Sequence, residues 1–159
     1  MKKITLLVAM LFATLSIGQN IKIVEIDADQ TSTDDMEFLE ILTESSNQSL
    51  NGYIVVFYNG NSDQSYRTLD LTGFSSDSNG YFIIGSDLFP GADIIMGPDN
   101  TIQNGADAIA IYSADAANFP DGTSVTSSGL VDAVVYGTSD DDDVELLAGL
   151  NQTTQWDEN

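Results

Sequence analysis

The chain contains no cysteine and no histidine, only three prolines, and four basic residues against 25 acidic ones. The missing cysteine removes disulfides, thiolate metal sites and cysteine nucleophiles, so a hydrophobic core must carry the fold unaided. Without histidine, a Ser-His-Asp triad and the commonest zinc and copper ligands are excluded, together with imidazole acid–base chemistry. The scarcity of Lys and Arg argues against direct nucleic-acid binding, which depends on cationic side chains displacing counterions from phosphates. A formal net charge of −21 suits solubility, cation binding or a basic partner.

Long apolar runs are also missing, with one exception at the amino terminus. Met1-Lys2-Lys3 is followed by an almost wholly apolar stretch from Ile4 to Ile17 and then by Ser16-Ile17-Gly18. A basic start, an apolar centre and small residues at the end form the pattern of a cleavable secretory signal, 1–18, with Gln19 as the expected first mature residue. The alternative is an uncleaved anchor, but the run falls short of the ~20 residues a spanning helix needs. Export leaves Lys22 and Arg67 as the only basic residues against 25 acidic ones, a net charge of −23. The mature chain is expected to be soluble, without membrane insertion, and located outside the cell or on its surface.

What remains reads as β structure. IKIVEI (21–26), MEFLEIL (36–42), SYRTLDL (65–71) and VDAVVY (131–136) alternate apolar and polar residues or carry a β-branched bias. YIVVFY (53–58) is apolar on both faces and is expected to be central. YFII (81–84), DIIM (93–96) and AIAIY (108–112) complete about eight short strands, with Asn-Gly and Pro-Gly turn signals between them. Such spacing predicts a sandwich or barrel. Ser86–Leu88 and Val144–Leu150 are expected to form single helical turns. The polar stretch 151–159 reads as a linker, or as a tail docking through Trp156.

The ordered set IVEIDAD (23–29), EFLEI (37–41), LNGY (50–53), VFYNG (56–60), DSNGYFIIG (77–85), QNGADA (103–108) and LVDAVVYG (130–137) resembles the bacterial branch of the lamin-tail domain family. The resemblance runs from about Ile21 to about Leu150. No single piece is diagnostic; their order is. It implies an immunoglobulin-like antiparallel β-sandwich over residues 19–150. It also implies a non-catalytic accessory or interaction module of a secreted or cell-surface protein. Such a module would stand amino-terminal to a hydrolase or nuclease-like domain, so the expected partner is a covalently linked downstream domain or another extracellular protein. The resemblance carries no catalytic residue set.

The acidic residues supply the candidate sites. Asp27, Asp29, Asp34, Asp35 and Glu37 are close enough in sequence to offer calcium several oxygen ligands on one loop. The Asp27-x-Asp29-x-Thr31 start is like that of an EF-hand, but position six is Ser32 and position twelve is Phe38, so only an irregular site fits. Calcium is the one cofactor this pattern allows; no other is expected. Asp140–Asp143 belongs in a loop, as a solvated turn or a weak cation site. Glu37 and Glu40 would face opposite sides of a strand, whereas Glu25 and Glu40 from neighbouring strands are a conceivable hydrolytic pair. No extended cleft is expected in a sandwich of this size, and the chain is read as non-enzymatic. Tyr66, Phe74 and Phe119 are the loop aromatics available to stack on sugars, which gives a second reading: a stand-alone calcium- or glycan-binding adhesion domain.

Overall fold

The alternating burial of FLEILT sets one wall of the molecule. In the computed structural model, which describes residues 21–158 apart from Ser32 and Asp99, Leu39, Ile41 and Thr43 point inward while Phe38, Glu40 and Leu42 lie nearer solvent. The expected signal segment lies outside the described residues. The strands are β1 (Ile21–Asp27), β2 (Phe38–Thr43), β3 (Tyr53–Asn59), β4 (Gln64–Asp70), β5 (Tyr81–Gly85), β6 (Ile94–Ile95), β7 (Asp107–Ser113), β8 (Leu130–Gly137) and β9 (Gln155–Asp157). One short helix, α1 (Val144–Gly149), precedes β9.

Two sheets form, ordered β1-β2-β5-β6 and β4-β3-β7-β8-β9. Their inner faces enclose a core built on Leu39, Ile41, Phe82 and Ile84 from the first sheet and Val55, Phe57, Ile109 and Ile111 from the second. This is an all-β, immunoglobulin-like sandwich, as the strand pattern predicts. Two details differ from the antiparallel expectation: β5 pairs with β6 in parallel, and β8 pairs with β9 in parallel. The ninth strand was not legible because QWD is too short and too polar to show a period.

The second sheet is buried on both sides. Ile54, Val56 and Tyr58 of β3 and Ala108, Ala110 and Tyr112 of β7 face away from the sandwich core, yet they are covered by Phe119, Leu146 and Leu150. This is why YIVVFY and AIAIY are apolar at successive positions: each strand has two dry faces. Tyr58 and Tyr112 bring their hydroxyls to 3.0 Å of each other, and Tyr112 donates to the Thr126 carbonyl at 2.7 Å. The two polar handles in this layer are thus satisfied.

Helix α1 lies where a helical turn was expected. Asp143 caps it, its Oδ1 accepting from the Leu146 amide at 2.8 Å. Ser86–Leu88, by contrast, is a plain turn. Residues 151–159 are neither linker nor tail as far as they are described. Gln155 is buried and β9 extends the sheet, while Trp156 is 65% exposed. Docking runs through the strand, through the Gln155 side chain, which accepts from the Asp143 amide at 2.8 Å, and through Glu158, whose carboxylate accepts from the Ala28 amide at 2.9 Å.

Candidate functional site

The loop from β1 to β2 carries the carboxylates first expected to bind calcium, and the structure disperses them. Asp27 ends β1, and its Oδ1 accepts from Gln30 Nε2 at 3.0 Å. Asp29 is exposed. Asp34 accepts from the Gln30 amide and from Asn104 Nδ2, both at 2.9 Å. Asp35 contributes its carbonyl to Ser86 Oγ at 2.6 Å.

Glu37 is fully buried, and its carboxylate accepts from the Thr101 amide at 2.6 Å, the Thr101 hydroxyl at 2.8 Å and the Ile102 amide at 3.0 Å. Burial pushes this carboxyl above its usual range, while those three donors pull it back. Its oxygens are engaged with the segment that carries the chain from β6 in one sheet to β7 in the other. Tyr136 and Tyr66 hold the same segment, by bonds between the Tyr136 hydroxyl and the Gln103 carbonyl and between the Gln103 amide and the Tyr66 hydroxyl. Among the described residues, no three carboxylates are gathered closely enough to hold a metal by themselves.

Glu25 and Glu40 do come together, as direct cross-strand partners between β1 and β2. A bulge at Val24 brings this about, since Ile23 pairs with Ile41 and Glu25 with Glu40. Burial, then the charges of Glu25 and Asp77, raise the Glu40 carboxyl. The hollow beside Glu25 is lined by Val24, Val134 and Trp156, and Glu40 lies outside it.

The aromatic residues expected on loops are packed inward. Phe74 meets Phe82 edge-on at 5.5 Å between ring centroids, Tyr66 lies 5.9 Å from Phe57, and Phe119 lies 4.7 Å from Tyr112. Phe119 is buried, and Phe74 and Tyr66 pack against the main core. None offers an open face to a sugar. The exposed large apolar residues include Val24, Leu88, Ile95, Val144 and Trp156, of which Val24 and Trp156 share the hollow beside Glu25.

A second group of carboxylates assembles at the opposite end of β3, where the turns after β3, before β7 and after β8 meet. Gly60, Gly105, Ala106, Asp140, Asp141 and Asp143 line an open hollow there. Behind the two glycines lies Asp107, only 2% exposed. Its Oδ1 accepts from the Gly60 amide at 2.8 Å, whereas its Oδ2 is buried without a hydrogen-bond partner. Burial raises the Asp107 carboxyl, the Gly60 and Gly105 amides oppose that shift, and the charges of Asp140 and Asp143 add to it. Asp63 repeats the pattern: its Oδ1 is also buried and unpaired, and burial, Asp143 and Glu145 raise its carboxyl. Sequence reading found Asp140–Asp143 but not Asp107, whose place at the head of an apolar strand looks like the edge of a turn.

Comparison with protein-family models finds no match, and comparison with curated protein sequences finds none either. Among the described residues, no helix is long and apolar enough to cross a membrane.

Proposed function

We propose that this chain is a lamin-tail-like accessory or interaction module, without catalysis of its own, in a secreted or cell-surface bacterial protein. The observation that carries this reading is the placement of the family-like pieces. EFLEI, VFYNG, DSNGYFIIG and LVDAVVYG fall on β2, β3, β5 and β8 with their adjoining turns, so the pieces account for inner strands of both sheets. The buried polar groups favour the same reading. Glu37, Tyr66 and Tyr136 are spent on fastening the β6–β7 segment, which is a structural task. The amino-terminal signal pattern supports export, and the excess of acidic residues favours a soluble, extracellular setting without nucleic-acid contact.

The reading is tested by extending the gene sequence beyond the Asn159 codon and assaying the whole product. A hydrolase or nuclease-like domain should follow, and its activity on soluble substrate should survive deletion of residues 21–158 while its retention at the cell surface falls. A stop codon directly after Asn159, or loss of surface retention in neither variant, would reject it.

A stand-alone adhesion domain is the second reading. Its glycan half has little support, because Tyr66, Phe74 and Phe119 are packed inward. Its cation half is favoured by the unpaired carboxylate oxygens of Asp63 and Asp107.

A further inference from the structure

We propose that the hollow formed by the 60–63, 105–107 and 140–143 turns is a calcium site, with the Asp107, Asp140 and Asp143 carboxylates and the Ala106 carbonyl as its protein ligands. The inference deepens the cation half of the second reading, but it holds equally for an accessory module, since a calcium site at a sandwich end does not depend on what the module is joined to.

Several independent features converge on this spot. Asp107 is almost fully buried, yet its Oδ2 has no donor. A buried carboxylate oxygen without a partner costs about 1–3 kcal/mol or more, so something ordinarily satisfies it. The other unpaired buried carboxylate oxygen, on Asp63, flanks the same Asp143. Asp143 has its Oδ1 committed to the Leu146 amide, which fixes the side chain and turns Oδ2 toward Gly60. A Cβ on Gly60 would collide with both that Oδ2 and the Ala106 carbonyl oxygen, so two oxygens from separate turns approach one point on the chain.

No cation of the protein answers this charge. Lys22 acts on Asp132 at the β1–β8 seam, and Arg67 acts on Tyr66. The donor set selects the ion. Carboxylates plus a backbone carbonyl, all hard oxygens on an open loop framework, suit calcium with water completing its six to eight ligands. Magnesium demands a tighter octahedron, and softer metals prefer nitrogen or sulfur. Asp140 is exposed, so its side chain is free to turn inward and close the set around the ion.

The test is calorimetric and thermal titration of the exported chain, stripped with chelator, using calcium chloride alone. A single site is expected, with an affinity on the order of 0.1–1 mM as in extracellular modules, and a rise in Tm that chelator reverses. Asp140→Asn should weaken binding roughly tenfold or more, a loss of about 1.4 kcal/mol. Asp107→Asn should do the same, while Asp34→Asn leaves affinity unchanged. Asp140 is exposed, so its variant folds even if Asp107→Asn does not. Absence of heat and of a Tm shift at 10-fold above that range overturns the proposal, as does unaltered affinity in Asp140→Asn. Loss of binding in Asp34→Asn alone would move the site to the β1–β2 loop and overturn it too. None of these outcomes bears on surface retention, so the accessory-module reading stands or falls separately.

Discussion

The carboxylate of Glu37 grips both the amide and the hydroxyl of Thr101, 64 positions further along the chain, at 2.6 and 2.8 Å. Glu37 stands just ahead of β2 in the first sheet, and Thr101 lies in the segment leading to β7 in the second. One buried acid thereby fixes how the chain passes between sheets. The bond also explains why a residue expected to serve calcium is out of solvent's reach.

Removing that grip should be costly. Glu37→Ala leaves the Thr101 and Ile102 amides without acceptors and opens a cavity, so a loss of about 2–4 kcal/mol in unfolding free energy is expected. Glu37→Gln keeps the shape and one acceptor, and should lose about 1–2 kcal/mol. Urea unfolding of the two variants measures both; a cost below ~0.5 kcal/mol for Glu37→Ala would show that the segment does not depend on this acid.

Stability should rise on mild acidification. Burial lifts Glu37, Asp132 and Glu158 above the ordinary carboxylate range, against the opposing pull of their hydrogen-bond donors. Lys22 also opposes the shift at Asp132, whereas Asp34 reinforces it at Glu37 and Asp27 at Glu158. A folded-state pKa above the unfolded value means the native state takes up protons first. The contribution is fully present below the unfolded pKa and is lost as pH climbs through the folded one. Asp77 acts in the opposite sense: the amides of Tyr81 and Asn79 hold it low, so its contribution disappears as pH falls through its depressed value. Tm should therefore increase from pH 7 to about 5 and decline again below about 4. A flat or falling profile between pH 7 and 5 would contradict these assignments.

Gly60 tolerates no side chain. Its Cβ would run into the Ala106 carbonyl and the Asp143 carboxylate, and the first of these is backbone with little room to retreat. Gly60→Ala should cost about 1–3 kcal/mol through overpacking. At Gly52 nothing lies within 4 Å, and only its φ of +82° opposes substitution, so Gly52→Ala should cost about 1 kcal/mol. Chemical denaturation of both variants compares the two mechanisms, and equal costs would remove the steric account.

A chain ended after Leu150 should be less stable, not merely shorter. It loses β9, the Gln155 acceptor for the Asp143 amide and the Glu158 acceptor for Ala28, and it bares the β8 edge at Val135–Gly137. A drop of at least ~2 kcal/mol and a greater tendency to associate are expected. Differential scanning calorimetry with light scattering checks both; an unchanged Tm would restore 151–159 to the status of a linker.

Trp156 is the only tryptophan and is 65% exposed. Its emission should be that of a hydrated indole, quenched by acrylamide nearly as readily as a free tryptophan amide. Strong protection would mean that something covers the hollow it shares with Val24.

The sequence by itself determined the strands. Alternation in FLEILT, doubled apolarity in YIVVFY and AIAIY, and Asn-Gly turns at 51–52 and 79–80 are local signals, because side-chain period and backbone preference are properties of neighbouring residues. Tertiary structure decided the rest. Gln155–Asp157 became a strand because β8 had a free edge, not because its residues favour one. Tyr66, Phe74 and Phe119 went inward because rings were waiting there. The acidic residues, alike in sequence, took different fates: Glu37 became a buried fastening, Asp34 a loop contact, and Asp107 a buried oxygen beside the Asp140–Asp143 turn. A carboxylate's role depends on which donors and charges stand within a few ångströms, and residues as distant in the chain as 37 and 101, or 60 and 143, meet only after folding.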